Sequence, residues 1–107
     1  MSISTHVLDA ALGRPAAGVA VRLDGPAGSL LAEAVTDRDG RVAELAAGPL
    51  EPGDYRLRFD TGSYFADAGR EAFYPEVLVT FTVTDPEQHH HVPLLLSPFA
   101  YSTYRGS

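Results

Sequence analysis

Apolar residues recur at every second position along most of this chain, and no other feature limits its fold as strongly. Ile3, Thr5 and Val7 alternate with Ser4, His6 and Leu8, and Val19, Val21 and Leu23 alternate with Ala20 and Arg22. The same rhythm returns at Tyr55, Leu57 and Phe59, and again at Val77, Val79, Phe81 and Val83. An extended backbone points successive side chains to opposite faces, so each run predicts a strand with one face on a core. Between the runs lie ALGRP, LDGPAGS, DRDGR, EPGD and TDPEQ, which supply Gly, Pro and Asp where the chain must reverse. Asp39-Gly40 suits the tight turn of a hairpin. Regular short strands with such punctuation predict an all-β fold, an antiparallel sandwich.

One segment breaks the rhythm. TGSYFADAGREAF carries helix formers, with Thr61 or Ser63 as the expected N-cap and Gly69 as the expected stop. It predicts one short helix between two strands. At 107 residues the chain suffices for one core, so residues 1–107 are expected to form a single domain.

Composition narrows the function classes. There is no cysteine, so disulfides, thiolate metal sites and a cysteine nucleophile are excluded. A net charge of −6 disfavours nucleic acid as a partner, because a nucleic-acid binder needs a cationic field to displace counterions. It does not prevent a local cationic pocket. MSISTHVLDA has neither a basic start nor a long apolar segment, and no stretch approaches the ~20 apolar residues of a membrane span. The expectation is a soluble, cytoplasmic protein with no membrane partner.

The run HHHVPLLLS holds the most specific chemistry. Alternation sends Val92, Leu94 and Leu96 to the core, with His90 on the same side near the mouth of the strand. It sends His89, His91 and Leu95 outward, and on the first strand it sends His6 outward too. Leu8, Leu78 and Leu95 also face outward, where an isolated sheet prefers polar residues. Those leucines predict a covering subunit and place the histidines at or near an interface. For each histidine the plain alternative is a solvated surface residue. A metal is disfavoured, because His89 and His91 offer two ligands from one strand and need His6 as a third. For Arg41, beside the DRDG turn, the plain alternative is a solvated turn residue. No nucleophile elbow and no phosphate-cradling glycine loop is present.

STHVLD, TDRDGR, GDYRLRF and HVPLLLSPFAYSTYRGS, taken together and in order, resemble the enzyme branch of the transthyretin-like family, the 5-hydroxyisourate hydrolases. The resemblance spans the chain, including FYPEV after the helix. Its most specific part is the closing Tyr104-Arg105-Gly106-Ser107, which the hormone-carrying branch lacks. It implies a transthyretin-like sandwich of about eight strands with one short helix. It also implies a homotetramer, a dimer of dimers whose active sites lie in the channel between dimers. The implied reaction opens the ring of 5-hydroxyisourate to 2-oxo-4-hydroxy-4-carboxy-5-ureidoimidazoline in urate degradation, without metal or organic cofactor.

Residue by residue, the resemblance implies that His6, Arg41, His91 and Ser107 are catalytic, and that Tyr104, Arg105 and Gly106 bind substrate. The three adjacent histidines depart from the family's pattern. Their position before VPLLLS singles out His91. A neutral imidazole suits deprotonation of water, and a guanidinium fork suits an oxyanion. Which of His6 and His91 is base and which is acid stays open at this stage. The alternative reading is a carrier of small aromatic ligands in the same channel. A structural sandwich of adhesin or regulatory type is a further alternative, resting on the TDRDG turn alone.

Overall fold

Residues 2–47 and 49–107 are described in the structure, a computed structural model. The strands are β1 (Ser2–Asp9), β2 (Arg14–Pro15), β3 (Ala20–Asp24), β4 (Leu30–Val35), β5 (Arg41–Ala47), β6 (Gly53–Phe59), β7 (Val77–Val83), β8 (His90–Leu96) and β9 (Tyr101–Thr103). Among the described residues there is one helix, α1 (Thr61–Asp67), which separates β6 from β7. One sheet runs β2-β1-β8-β9, with β5 also paired to β1, and the other runs β4-β3-β6-β7. The all-β sandwich expected from the alternation is therefore what forms. Its one parallel pairing among the described residues is β1 with β8.

The alternating residues meet between the sheets. Ile3, Val7, Val21, Leu23, Leu57, Phe59 and Leu94 are buried, and Phe65 of α1 joins them. Tyr55 is buried with its polar tip satisfied: its hydroxyl donates to the Glu51 carbonyl at 2.7 Å and accepts from the Glu51 N–H at 3.1 Å. Such pairing removes the penalty of an unmet buried hydroxyl.

Three local expectations need correction. The helix cap is Asp60, not Thr61 or Ser63: its carboxylate accepts from the Ser63 N–H, and Thr61 is the first helical residue and buried. Carboxylate and hydroxyl compete for the same orphan donors, and the residue one step ahead of the helix wins on geometry. Gly69 does close the helix, with the Arg70 N–H reaching back to the Phe65 carbonyl at 2.9 Å. The Asp39-Gly40 turn makes no hairpin, because β4 and β5 belong to different sheets. It carries the chain across the sandwich. The outward leucines also divide: Leu8 and Leu95 are cross-strand partners on one sheet, whereas Leu78 is exposed on the other.

A buried ion pair ties helix to sheet. Asp9 is fully buried at the end of β1 and accepts from the Arg70 guanidinium at 2.6 Å, the Tyr64 hydroxyl at 2.8 Å and the Leu12 N–H at 3.0 Å. Burial pushes its carboxyl up, but these donors outweigh burial and hold it below the ordinary carboxylate value.

Candidate active site

The pairing of β1 on both sides assembles the site. Its parallel register with β8 sets Ser4 beside His91, and its antiparallel register with β5 sets His6 opposite Arg41. Two imidazoles and a guanidinium from three distant segments thereby share the outer face of the five-stranded sheet. Thr5, between Ser4 and His6, points inward and donates its hydroxyl to the Val92 carbonyl at 2.6 Å, which fastens the parallel pair.

The turn before β5 fixes Arg41. The Asp37 carboxylate accepts from the N–H groups of Asp39 at 2.9 Å and Arg41 at 3.0 Å. The Arg41 N–H, opposed in part by desolvation, holds the Asp37 carboxyl below its usual value. Gly40 takes φ +75°, and its carbonyl accepts from the Val7 N–H at 2.7 Å. A Cβ there would overlap the Val7 carbonyl oxygen, so only glycine lets the turn press against β1. The same turn anchors His6, whose Nε2–H donates to the Asp39 carbonyl at 2.9 Å. A carbonyl only accepts, so Nε2 carries a proton and Nδ1 is the nitrogen turned away from the turn.

His91 is held from several sides. The Ser4 hydroxyl engages its Nδ1 at 2.7 Å, which leaves Nε2 as the nitrogen available for chemistry. Burial, then the charge of Arg41, then His89 and His6, lower its pKa below the ordinary histidine value. The ring is therefore neutral at pH 7. A cleft of about 270 Å³ opens beside it, lined by Ser4, Thr5, Arg41, Ala43, His89, His91 and Ser107. A larger groove of about 530 Å³ on the outer face of the other sheet offers no comparable chemistry. Two of its charged residues, Arg58 and Glu76, pair with each other at 3.3 Å.

The carboxyl-terminal segment is pinned rather than frayed. After the Ser97–Ala100 turn the chain runs antiparallel to β8, with Leu96 opposite Tyr101 and Leu94 opposite Thr103. An isolated bridge continues the ladder from Gly106 to His91, with the Gly106 N–H donating to the His91 carbonyl at 2.8 Å. A Cβ on Gly106 would overlap the His91 ring. Gly106→Ala is expected to push that ring aside and lower kcat by up to about 10²-fold, the scale for an ångström of misplacement. Steady-state kinetics beside circular dichroism test this, since the strand content stays unchanged.

Of the residues singled out from sequence, Arg41, His91 and Ser107 share one cleft, and His6 sits on the next position along the same face. Alternation puts Arg105 and Ser107 on one side of the terminal strand, but the structure separates them. Arg105 lies with Tyr104 in a second cleft of about 280 Å³ near Phe81 and His90, and donates to Gln88 at 3.0 Å. The strand ends at Thr103 and only the isolated Gly106–His91 bridge lies beyond it, so period two does not govern the last residue. Sequence reading missed Ser4 and gave His89 no role beyond metal. The signal was present, since Ser4 shares a face with His6 and His89 shares one with His91. Among the described residues no three His, Cys, Asp or Glu side chains converge as metal ligands.

Comparison with known proteins gives consistent results. The sequence profile of the HIUase/Transthyretin family matches residues 3–106. The 5-hydroxyisourate hydrolase of Caulobacter vibrioides is 47% identical, covering 98% of this chain and 97% of its own. Among solved structures, Klebsiella pneumoniae 5-hydroxyisourate hydrolase superposes with a TM-score of 0.92 at 44% identity, over 100% of both chains. Sea bream transthyretin, solved in complex with thyroxine, gives 0.89 at 33% identity over 99% of this chain and 95% of its own.

Proposed function

Because the chain belongs to the HIUase/Transthyretin family, we infer that it hydrolyses 5-hydroxyisourate in urate degradation, with the cleft beside His91 as its active site. The observation that carries this reading is the convergence of His91, Arg41 and Ser107 on one cleft, with His6 on the same sheet face. A carrier of thyroxine-like ligands has no use for a neutral imidazole next to an unclaimed guanidinium. Among the described residues Arg41 takes part in no side-chain ion pair.

In the proposed chemistry, the bare Nε2 of His91 removes a proton from water as the water oxygen attacks a lactam carbonyl of the substrate. His6 Nδ1 orients that water. Negative charge grows on the carbonyl oxygen, and the Arg41 fork faces it with paired N–H donors. The carbon–nitrogen bond then breaks, the ring nitrogen takes the proton held on His91, and the carbonyl carbon becomes a carboxylic acid that releases its proton to solvent as the carboxylate forms. The product is 2-oxo-4-hydroxy-4-carboxy-5-ureidoimidazoline. Ser107 lines the same cleft and offers a hydroxyl to substrate or water. Tyr104, Arg105 and Gly106 act by holding the terminal segment in place, Gly106 against His91 and the other two in the second cleft.

The active unit of this proposal is the whole chain, 1–107, as one domain within a homotetramer whose dimer–dimer boundary covers the His6–Arg41–His91 face. The half-buried pair Leu8 and Leu95 on that face supports the covering. Cytoplasmic residence is part of the same proposal, and cell fractionation tests it.

Generating 5-hydroxyisourate with urate oxidase and following its ultraviolet decay tests the function directly. Wild-type protein accelerates the decay, and a carrier leaves the spontaneous rate unchanged. Arg41→Ala is expected to lower turnover by about 10²–10³-fold, the cost of losing one oxyanion donor, with the sheet intact. Turnover near wild type in that variant removes Arg41 from the chemistry.

A further inference from the structure

We propose that Ser4 and His89 form a proton relay behind His91, setting which of its ring nitrogens carries the proton and taking up charge as water is deprotonated. The relay is a continuous line of hydrogen bonds. His91 Nδ1 meets the Ser4 hydroxyl at 2.7 Å, the same hydroxyl meets His89 Nε2 at 2.9 Å, and His89 Nδ1 meets the Ser2 hydroxyl. The His89 and His91 rings lie 6.4 Å apart and 16° from parallel, so both present an edge to the one oxygen between them. Ser4 is almost fully buried, His91 is half-buried, and His89 is exposed. The line therefore runs from the cleft toward solvent. This proposal rests on the reading of His91 as the base.

The hydroxyl has a single proton, and that makes the arrangement directional. If Ser4 donates to His89 Nε2, His91 must donate its Nδ1–H to Ser4, and its Nε2 is bare. If Ser4 donates to His91 Nδ1, that ring is protonated on Nε2 and cannot act as a base. When Nε2 takes a proton from water, the Nδ1–H passes to the Ser4 oxygen while the Ser4 O–H passes to His89 Nε2. One O–H bond breaks and one forms, Ser4 stays neutral, and the positive charge moves from His91 to His89. The move takes charge away from the half-buried ring that Arg41 and His6 face and puts it on the exposed His89. Ser4 and His89 act through His91 and touch no reacting atom, so they are positioning residues.

The register explains why these residues serve. The parallel pairing of β1 and β8 puts Ser4 level with His91, and His89, just ahead of β8, reaches the same Ser4 hydroxyl. Ser4→Ala is expected to lower kcat by about 10–100-fold, the range for lost orienting partners of histidines, while KM moves by less than about twofold. Ser4→Thr, which keeps the hydroxyl, is expected to restore most of the rate. His89→Phe is expected to match Ser4→Ala, and the double variant to be no slower than either single one, because the two act as one unit. Histidine labelled with ¹⁵N adds a readout independent of turnover: in wild type Nδ1 of His91 carries the proton, and in Ser4→Ala the ring shifts toward protonated Nε2. An unchanged tautomer in Ser4→Ala, or single effects that multiply in the double variant, overturns the relay. Undiminished turnover in a variant lacking the His91 imidazole instead overturns the reading of His91 as base.

Discussion

His91→Asn is expected to reduce kcat for 5-hydroxyisourate by about 10²–10⁴-fold, the range supplied by one well-placed general base. Asparagine keeps a side chain of similar reach on β8 and can still meet the Ser4 hydroxyl, so the sheet and its melting temperature stay close to wild type. What it lacks is a nitrogen lone pair with a pKa near neutrality. The pH dependence gives the second half of the test. Burial and the neighbouring charge of Arg41 lower the His91 pKa, so the ring stays neutral from about pH 8 down past the ordinary value of about 6.5. Wild-type kcat/KM is therefore expected to be flat in His91 through that window and to fall only on the acid side of it. His91→Asn loses that acid limb. A variant that keeps the wild-type rate and the same limb would transfer the base role elsewhere. The assay is the ultraviolet decay of freshly generated substrate, corrected for its spontaneous rate at each pH.

The largest effect on stability is expected at Asp9. Asp9→Ala leaves the Arg70 guanidinium and the Tyr64 hydroxyl without their shared acceptor at the buried end of β1. Breaking one side of a buried pair costs about 3–5 kcal/mol, because the surviving charge has lost both water and partner. For a chain of this size that lowers the melting temperature by roughly 10 °C or more. The sign of the pH dependence follows from the depressed carboxyl. Unfolded Asp9 titrates near about 3.9 and folded Asp9 lower, so its stabilisation is complete above the unfolded value and is lost as pH falls through the folded one. The gap in stability between wild type and Asp9→Ala is thus expected to be constant through neutrality and to close under acid. Denaturant melts at neutral and acid pH measure it, and a gap that widens on acidification would show that the carboxyl is not held ionised by Arg70. Turnover at temperatures where both proteins are folded is expected to be similar, since Asp9 lies at the far end of β1 from Ser4 and His91.

The alternation made the sandwich legible, because burying one face of each strand is a local consequence of spacing. Ile3, Val7, Leu57, Phe59 and Leu94 all lie where period two put them. His6 and His91 were assigned outward by the same rule, and that assignment holds. The rule fails where the backbone stops being a strand. Ser107 joins Arg41 and His91 while Arg105 turns to another cleft, because the ladder ends at the Gly106–His91 bridge. It also says nothing about order within a sheet. The Asp39-Gly40 turn has the sequence of a hairpin, yet it links two sheets, since its conformation is local and the destination of the next strand is not.

By itself, then, the sequence determined the fold class, the outward faces of the two histidine-bearing strands and, through its closing tetrapeptide, the family to look toward. Side-chain facing and turn chemistry depend on neighbours a few residues away, and such information survives in a linear string. Only the tertiary structure decided that β1 lies between β5 and β8, in the registers that match His6 with Arg41 and Ser4 with His91. Those pairings join residues 35 and 87 positions apart. The core between the sheets selects them by requiring every apolar face to close at once, and no short stretch of sequence encodes that requirement.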